Sequence, residues 1–329
     1  MRGVSIVPEF DMPAHALPFT RAFAEIMSTG VSPGNRYRID ELDLTQMDAP
    51  ADPENESAMD IVKDIWNEYF EGDDPVFDKE TTIHIGTDEY HGVSGQAGIE
   101  YFRSFSDRMI EFIQGTGRTV RMWGSLSNKN GETPVRSENV QLNIWNTGYA
   151  NPSTMYEMGF DLINTADEWL YMVPNGTGNR GAYGDYLNVE RLYENWAVNS
   201  MFGYTVPAGD DQMLGACFAI WHDNIDTRAN GYSQYDAMLR YLDTAPVFSE
   251  KLWGDASETC EYEAFAKRAA GMGRAPNTAI GAENEYVTNK IAEYTFEETL
   301  ENDSGPNDFS LRTAKNASVA DTGTQDDAD

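Results

Sequence analysis

Short apolar runs of strand length recur along this chain, and stretches with a helical spacing of apolar residues lie between them. The strand-like runs are VSIVPEF (4–10), TTIHIG (81–86), RTVRMW (118–123), VQLNIW (140–145), FDLINT (160–165) and ACFAIW (216–221). Helical spacing falls over 17–28, 56–72, 98–114, 185–202 and 232–245. Strands separated by helices of this length pair in parallel through right-handed crossovers. That restricts the chain to an α/β class with two architectures, a (β/α)8 barrel or an open doubly wound sheet. The open sheet usually carries a Gly-rich phosphate turn, and none occurs here.

The residues that finish the runs favour the barrel. Asp11, the pair Asp88 and Glu89, Trp123, Trp145, and Trp221 followed by His222 and Asp223 stand at C-terminal strand ends. A core has no use for such a set there, and a (β/α)8 barrel gathers its active site at that face. The expected fold is a TIM (β/α)8 barrel over residues 1–254. Six strands can be counted rather than eight, and the first already ends in a site-like acid. The sequence therefore reads as a barrel lacking its first two strand–helix units. Residues 255–292 read as a helical connector. Residues 293–329 read as the beginning of a β domain with a disordered tail, from alternation in EYTFEETLENDSGPNDFSL broken by a turn signal.

Charge narrows the partners. The chain carries 55 Asp and Glu against 23 Lys and Arg, a formal net charge of -32. That disfavours nucleic acid and anionic membrane surfaces and suits a neutral ligand and an exported protein. Cys217 and Cys260 are the only cysteines, too few for a disulfide framework or a thiolate metal site. His84, His91 and His222 lie near acids, but none follows a ligand spacing such as His-Glu-x-x-His. Neither metal nor cofactor is expected.

The stretch TTIHIGTDEYHG (81–92) carries the chemistry. Two carboxylates at a barrel mouth among tryptophans suggest sugar chemistry. Ordinary glycosidases hold their two carboxyls roughly 5 to 9 Å apart, on opposite sides of the scissile bond. Adjacent residues cannot easily straddle an anomeric carbon in that way. A substrate with its own nucleophile removes the difficulty, and the 2-acetamido oxygen of an N-acetylhexosamine is one. Glu89 would then be the general acid and Asp88 would hold the acetamide N–H. Two acids this close raise the proton affinity of one of them, which is expected to keep Glu89 protonated near neutral pH.

At this point the residues resemble a family. IHIGTDEY is similar to the His-x-Gly-x-Asp-Glu signature of glycoside hydrolase family 20, the β-N-acetylhexosaminidases and lacto-N-biosidases. IVPEFDMPAH (6–15) resembles that family's third-strand motif, Pro-Glu-x-Asp-Met-Pro-Gly-His, with Ala14 at the glycine. The resemblance implies that Asp88 orients the acetamide and Glu89 is the general acid/base, with His15 and Asp11 a polar layer beneath them. It implies an aromatic wall of Trp123, Trp145 and Trp221, a Tyr171 hydroxyl on the acetamide carbonyl, and Asp223 on the sugar hydroxyls. Tryptophans are often core, but three at successive strand ends favour the pocket, whereas Asp223 could equally cap its loop.

The family's Tyr-x-Asp reads Tyr171-Met172-Val173 here, and Asp223 is shorter than the usual Glu. Both departures look like the lacto-N-biosidase branch, which releases a Galβ1-3GlcNAc disaccharide. The resemblance further implies an oligosaccharide or glycoconjugate substrate, secretion or display at the cell surface, and appended lectin-like domains. A non-catalytic carbohydrate-binding barrel is the rival reading of the same motifs.

Overall fold

The computed structural model describes residues 4–28, 41–48, 57–224, 232–254 and 260–273. The first half contains β1 (Glu9–Met12), α1 (Leu17–Ala22), α2 (Ala58–Phe70), β2 (Ile83–Gly86), α3 (Gly95–Gly115), β3 (Val120–Trp123) and β4 (Val140–Ile144). There follow α4 (Pro152–Glu157), β5 (Asp161–Asn164), α5 (Asp167–Leu170), β6 (Tyr171–Met172), α6 (Val189–Asn195), β7 (Ser200–Met201) and β8 (Tyr204–Thr205). The last described elements are β9 (Met213–Ala216), β10 (Ala219–Ile220), α7 (Gln234–Trp253) and α8 (Tyr262–Met272).

One sheet holds six strands in the order β1-β2-β3-β4-β5-β9, and every neighbouring pair is parallel. The order follows the chain without reversal. A doubly wound sheet reverses at a switch point, so this topology is that of the (β/α)8 barrel. β2 is buried along its whole length, with Ile83 and Ile85 facing the helices and His84 and Gly86 facing the interior. The helices supply the matching faces. α2 buries Met59, Val62, Trp66 and Phe70 at successive turns, and its N-terminus is capped by Ser57, whose side chain accepts from the Asp60 N–H. α3 buries Phe102, Phe105, Met109, Ile110 and Ile113 as one stripe. Among the described residues no helix is long and apolar enough to cross a membrane.

Several boundaries differ from the sequence expectation. The run 216–221 is not one strand. β9 pairs with β5 and β10 pairs with β6, with Cys217 and Phe218 between them, so the last strand is interrupted where its partner strand is also interrupted. The helical pattern over 185–202 yields only α6, because Trp196 takes an extended backbone and ends it. Its remainder becomes the β7–β8 hairpin, whose turn residues Phe202 and Gly203 have φ of 49 and 80°. Residues 4–8 lie outside β1. α8 lies within the segment read as a helical connector, and the expectations for 274–329 lie outside the described residues.

A second core forms behind β6 and β10, where α6, α7 and α8 meet around Leu192, Trp196, Phe248 and Phe265. Arg240 of α7 and Asp185 are both almost wholly buried there. They pair at 2.6 Å, with the guanidinium over the Tyr186 ring.

Candidate active site

The acids arrive on β1 and β2, in register at Glu9 with His84 and Met12 with Gly86. Gly86 has φ of +74°, and a Cβ there would collide with the backbone and carboxylate of Asp11. Only glycine lets the two strand ends approach this closely. The chain then turns through Thr87 (φ 78°) and Glu89 (φ 46°), and His15 beyond β1 has φ of 55°. Each such non-glycine conformation costs on the order of 1–3 kcal/mol and persists only where its surroundings enforce it. Buried Thr87 does the enforcing. Its N–H donates to Met12 O at 3.0 Å, and its hydroxyl lies 2.5 Å from Gly86 O and 3.2 Å from Trp123 O.

This turn divides the acidic pair by environment. The Asp88 side chain is 14% exposed and that of Glu89 is 42% exposed. Burial pushes the Asp88 carboxyl up, against the pull of His15. Asp11 rises well above the usual carboxylate range, through burial and the charges of Asp88 and Glu9. The buried Asp11–Asp88 pair therefore holds a proton more tightly than an exposed carboxyl does. Glu89 behaves in the opposite way. His15 Nε2 lies 3.3 Å from its Oε2, the Tyr149 hydroxyl donates to its Oε1 at 3.3 Å, and together they hold its carboxyl below the usual range. The extra proton affinity expected on Glu89 thus resides on the Asp11–Asp88 pair, because those two carboxyls are the buried ones.

A polar layer lies one register step below. Trp123 Nε1 donates to Glu9 Oε1 at 2.7 Å. His84 Nδ1 accepts the Gly86 N–H at 3.1 Å and lies 3.3 Å from the same Glu9 oxygen. Burial holds His84 neutral, with a pKa down at about 3, and lifts Glu9 to about 7. A ring nitrogen that already accepts cannot donate to Glu9.

Trp123, Trp145, Tyr171 and Trp221 form one cluster with Tyr149 and Ala219. Trp145 and Tyr171 lie parallel at 6.4 Å, and Trp221 packs on Trp123 at 5.7 Å and on Tyr171 at 5.5 Å. The Trp145 N–H is tied to Gly124 O at 3.0 Å. Among the described residues, Trp221 Nε1, Asp11 Oδ1 and Asp88 Oδ1 are buried without hydrogen-bond partners. The structure thus brings together Asp11, His15, Asp88, Glu89, Trp123, Trp145, Tyr171 and Trp221. Asp223 is exposed, and among the described residues no hydrogen bond or ion pair joins it to the others. Asp11, His15 and Asp88 place one ligand atom each within 4.8 Å of the others, the grouping here that could face a cation.

Three participants escaped the sequence reading. Glu9 had a signal, since it sits two residues before Asp11 and so shares its strand face. Tyr149 lies on the loop after β4, and Tyr183 lies on a long loop after β6, where no periodicity applies. Tyr183 donates to Asp167 Oδ2 at 2.5 Å.

The family model for the catalytic domain of glycosyl hydrolase family 20 matches residues 1–253. The chain belongs to glycosyl hydrolase family 20. Solved structures share its fold. A beta-N-acetylhexosaminidase from Bacteroides fragilis NCTC 9343 aligns with a TM-score of 0.57 at 18% identity, over 82% of this chain and 51% of that one. The family 20 beta-N-acetylhexosaminidase of Streptomyces coelicolor A3(2) aligns with a TM-score of 0.58 at 21% identity, over 82% of this chain and 50% of that one. A family 20 exo beta-N-acetylglucosaminidase from Vibrio harveyi, in complex with N-acetylglucosamine, aligns with a TM-score of 0.58 at 16% identity, over 82% and 42%. The chain thus spans about half the length of the first of these family 20 structures. At these identities the likeness is one of barrel fold.

Proposed function

We propose that this family 20 domain belongs to a retaining exo-glycosidase that removes terminal β-linked N-acetylhexosamine from glycans, with the substrate's acetamide as nucleophile. One observation carries the proposal. Asp88 and Glu89 are adjacent, yet the strained turn gives one a buried environment and the other an open one, beside an aromatic cluster. In this reading the acetamide carbonyl oxygen attacks the anomeric carbon while the glycosidic C–O bond breaks. Glu89 passes its proton to the departing oxygen. Asp88, in this reading the ionised member of its pair with Asp11, accepts the acetamide N–H on Oδ1 and offsets the positive charge of the oxazolinium. A water then gives a proton to Glu89 and adds to the anomeric carbon. The bond to the acetamide oxygen breaks, and configuration is retained.

The released unit is proposed to extend beyond one sugar. Where relatives carry a second hydroxyl-binding acid, this chain has Val173 after buried Met172, and Asp223 points to solvent. Among the described residues, the two positions compared are thus poor in acids that would grip a terminal monosaccharide, which favours a lacto-N-biose glycone. Hydrolysis of 4-nitrophenyl β-N-acetylglucosaminide and of 4-nitrophenyl β-lacto-N-bioside by the purified protein tests both levels. Equal turnover of glycosides lacking the 2-acetamido group would overturn the mechanism. Turnover of the monosaccharide glycoside alone would overturn the disaccharide refinement.

A further inference from the structure

We infer that Asp167, with Asn146 and Tyr183, forms the subsite that reads the hydroxyls of a sugar leaving group. The inference rests on the glycosidase reading above and extends it to the other side of the scissile bond. Asp167 opens α5 shortly after β5, and its N–H donates to Trp145 O at 2.8 Å, so its backbone is fixed to the aromatic wall. Its side chain is 7% exposed in the residue total. Oδ2 accepts from Asn146 Nδ2 at 2.9 Å and from the Tyr183 hydroxyl at 2.5 Å. Both donors go to one oxygen, so Oδ1 remains an acceptor on an otherwise committed carboxylate.

Tyr183 is held against its own preference. It is 49% exposed, yet its φ is 57°, a conformation that a bulky residue adopts only under constraint. The constraint is visible. Its N–H donates to Tyr171 O at 2.9 Å, and its ring meets Tyr171 edge-on at 5.6 Å. Its loop is clamped to α7 by Arg180 on Asp243 at 2.7 Å and by Asp185 on Arg240 at 2.6 Å. An exposed tyrosine fixed this firmly has a surface to present.

The position follows from the proton. Glu89 must face the leaving oxygen, so the groups clustered around Glu89 flank the leaving group rather than the glycone. Tyr149 bonds Glu89 directly, its ring packs on Trp145 at 4.4 Å and its N–H donates to Asn146 O at 3.1 Å, so the cluster of Asn146, Asp167 and Tyr183 adjoins the proton donor. A pyranose there could donate a hydroxyl to Asp167 and lay a face on the Tyr183 ring. A nitrophenyl group offers no hydroxyl to that carboxylate. The competing role for the cluster is to orient Tyr171, which would affect every substrate alike.

The test is a ratio of kcat/KM values for two substrates with the same glycone. These are 4-nitrophenyl β-N-acetylglucosaminide against N,N′-diacetylchitobiose, or 4-nitrophenyl β-lacto-N-bioside against lacto-N-tetraose if the disaccharide is the glycone. Asp167→Asn should lower the sugar-to-aryl ratio at least tenfold. Tyr183→Phe, which removes one hydroxyl from a half-exposed side chain, keeps the test valid if Asp167→Asn does not fold, and should lower the ratio at least threefold. A ratio within twofold of wild type in the folded variants overturns the inference, whether both activities fall together or neither falls. Failure of the wild-type protein to cleave any of these substrates removes the glycosidase reading, and the subsite with it.

Discussion

Two places in this molecule bury charge, and they treat it differently. Behind β6 and β10, Arg240 and Asp185 are 3% and 2% exposed and oppose each other at 2.6 Å. Arg240 also donates to Asp236 O at 2.8 Å and rests on an aromatic ring. At the ends of β1 and β2, Glu9, Asp11 and Asp88 share a sign, the Asp88 charge raises the proton affinity of the other two, and buried oxygens are left unpartnered. The charged residues Arg240 and Asp185 keep φ outside the left-handed region, whereas His15 and Glu89 adopt it, as does Thr87 where strand gives way to turn. Charge that serves the fold is neutralised where it lies. Charge that serves chemistry is kept unresolved, so that a substrate can resolve it.

The largest effect is expected where the contrast is sharpest. Glu89→Gln should cut kcat by about 10²- to 10⁴-fold, the usual span for losing a general acid, while thermal melting shows a fold as stable as wild type. Loss of stability in place of activity would dissolve the distinction. Arg240→Met should do the reverse, leaving Asp185 buried and alone at a cost of about 3–5 kcal/mol in denaturant unfolding. Gly86→Ala joins the two regimes. Strain at positive φ and collision with Asp11 should together remove about 2–4 kcal/mol, and the displaced Asp11 should depress activity in whatever folds.

Two smaller effects appear along the pH axis. His15 holds the Glu89 carboxyl low, so the acid form of Glu89 should be lost early as pH rises. His15→Ala should move the alkaline limb of kcat/KM to higher pH, and an unmoved limb would detach His15 from Glu89. Glu9 has a folded pKa raised from 4.5 to about 7. Between those values the native state holds more proton than the unfolded chain, so this group's contribution to stability falls as pH rises. His84, lowered from 6.5 to about 3, contributes the opposite slope. Removing the Glu9 component with Glu9→Gln should make stability climb more steeply with pH across the shared window, as read from melting temperatures.

The sequence disclosed the parts of this molecule that obey a period or a motif. β2 to β5 stand out as apolar runs, α2 and α3 carry apolar stripes that could be counted, and the acids lie at strand ends where position alone implies a mouth. The interruption at Cys217 and Phe218 was illegible because it depends on which strand lies alongside, and ACFAIW reads as one unbroken run. The hairpin at Phe202-Gly203 was legible in principle, but the helical pattern over 185–202 masked its two-residue turn. Tyr149 and Tyr183 left no trace, since each reaches Glu89 or Asp167 from a loop whose path is set by tertiary contacts. The protonation of the acidic pair was the hardest to foresee. Adjacent letters say that two carboxyls compete for a proton, and only burial says which wins.

The unreversed strand order has an evolutionary corollary. Glu89, Tyr149, Asp167 and Tyr183 are delivered by successive segments that are also spatial neighbours, so each can be lengthened, recombined or replaced without re-registering the rest. Under the proposed function, selection can therefore retune which alcohol departs by editing the stretch from 173 to 188, while the segment proposed to carry the proton donor is inherited untouched.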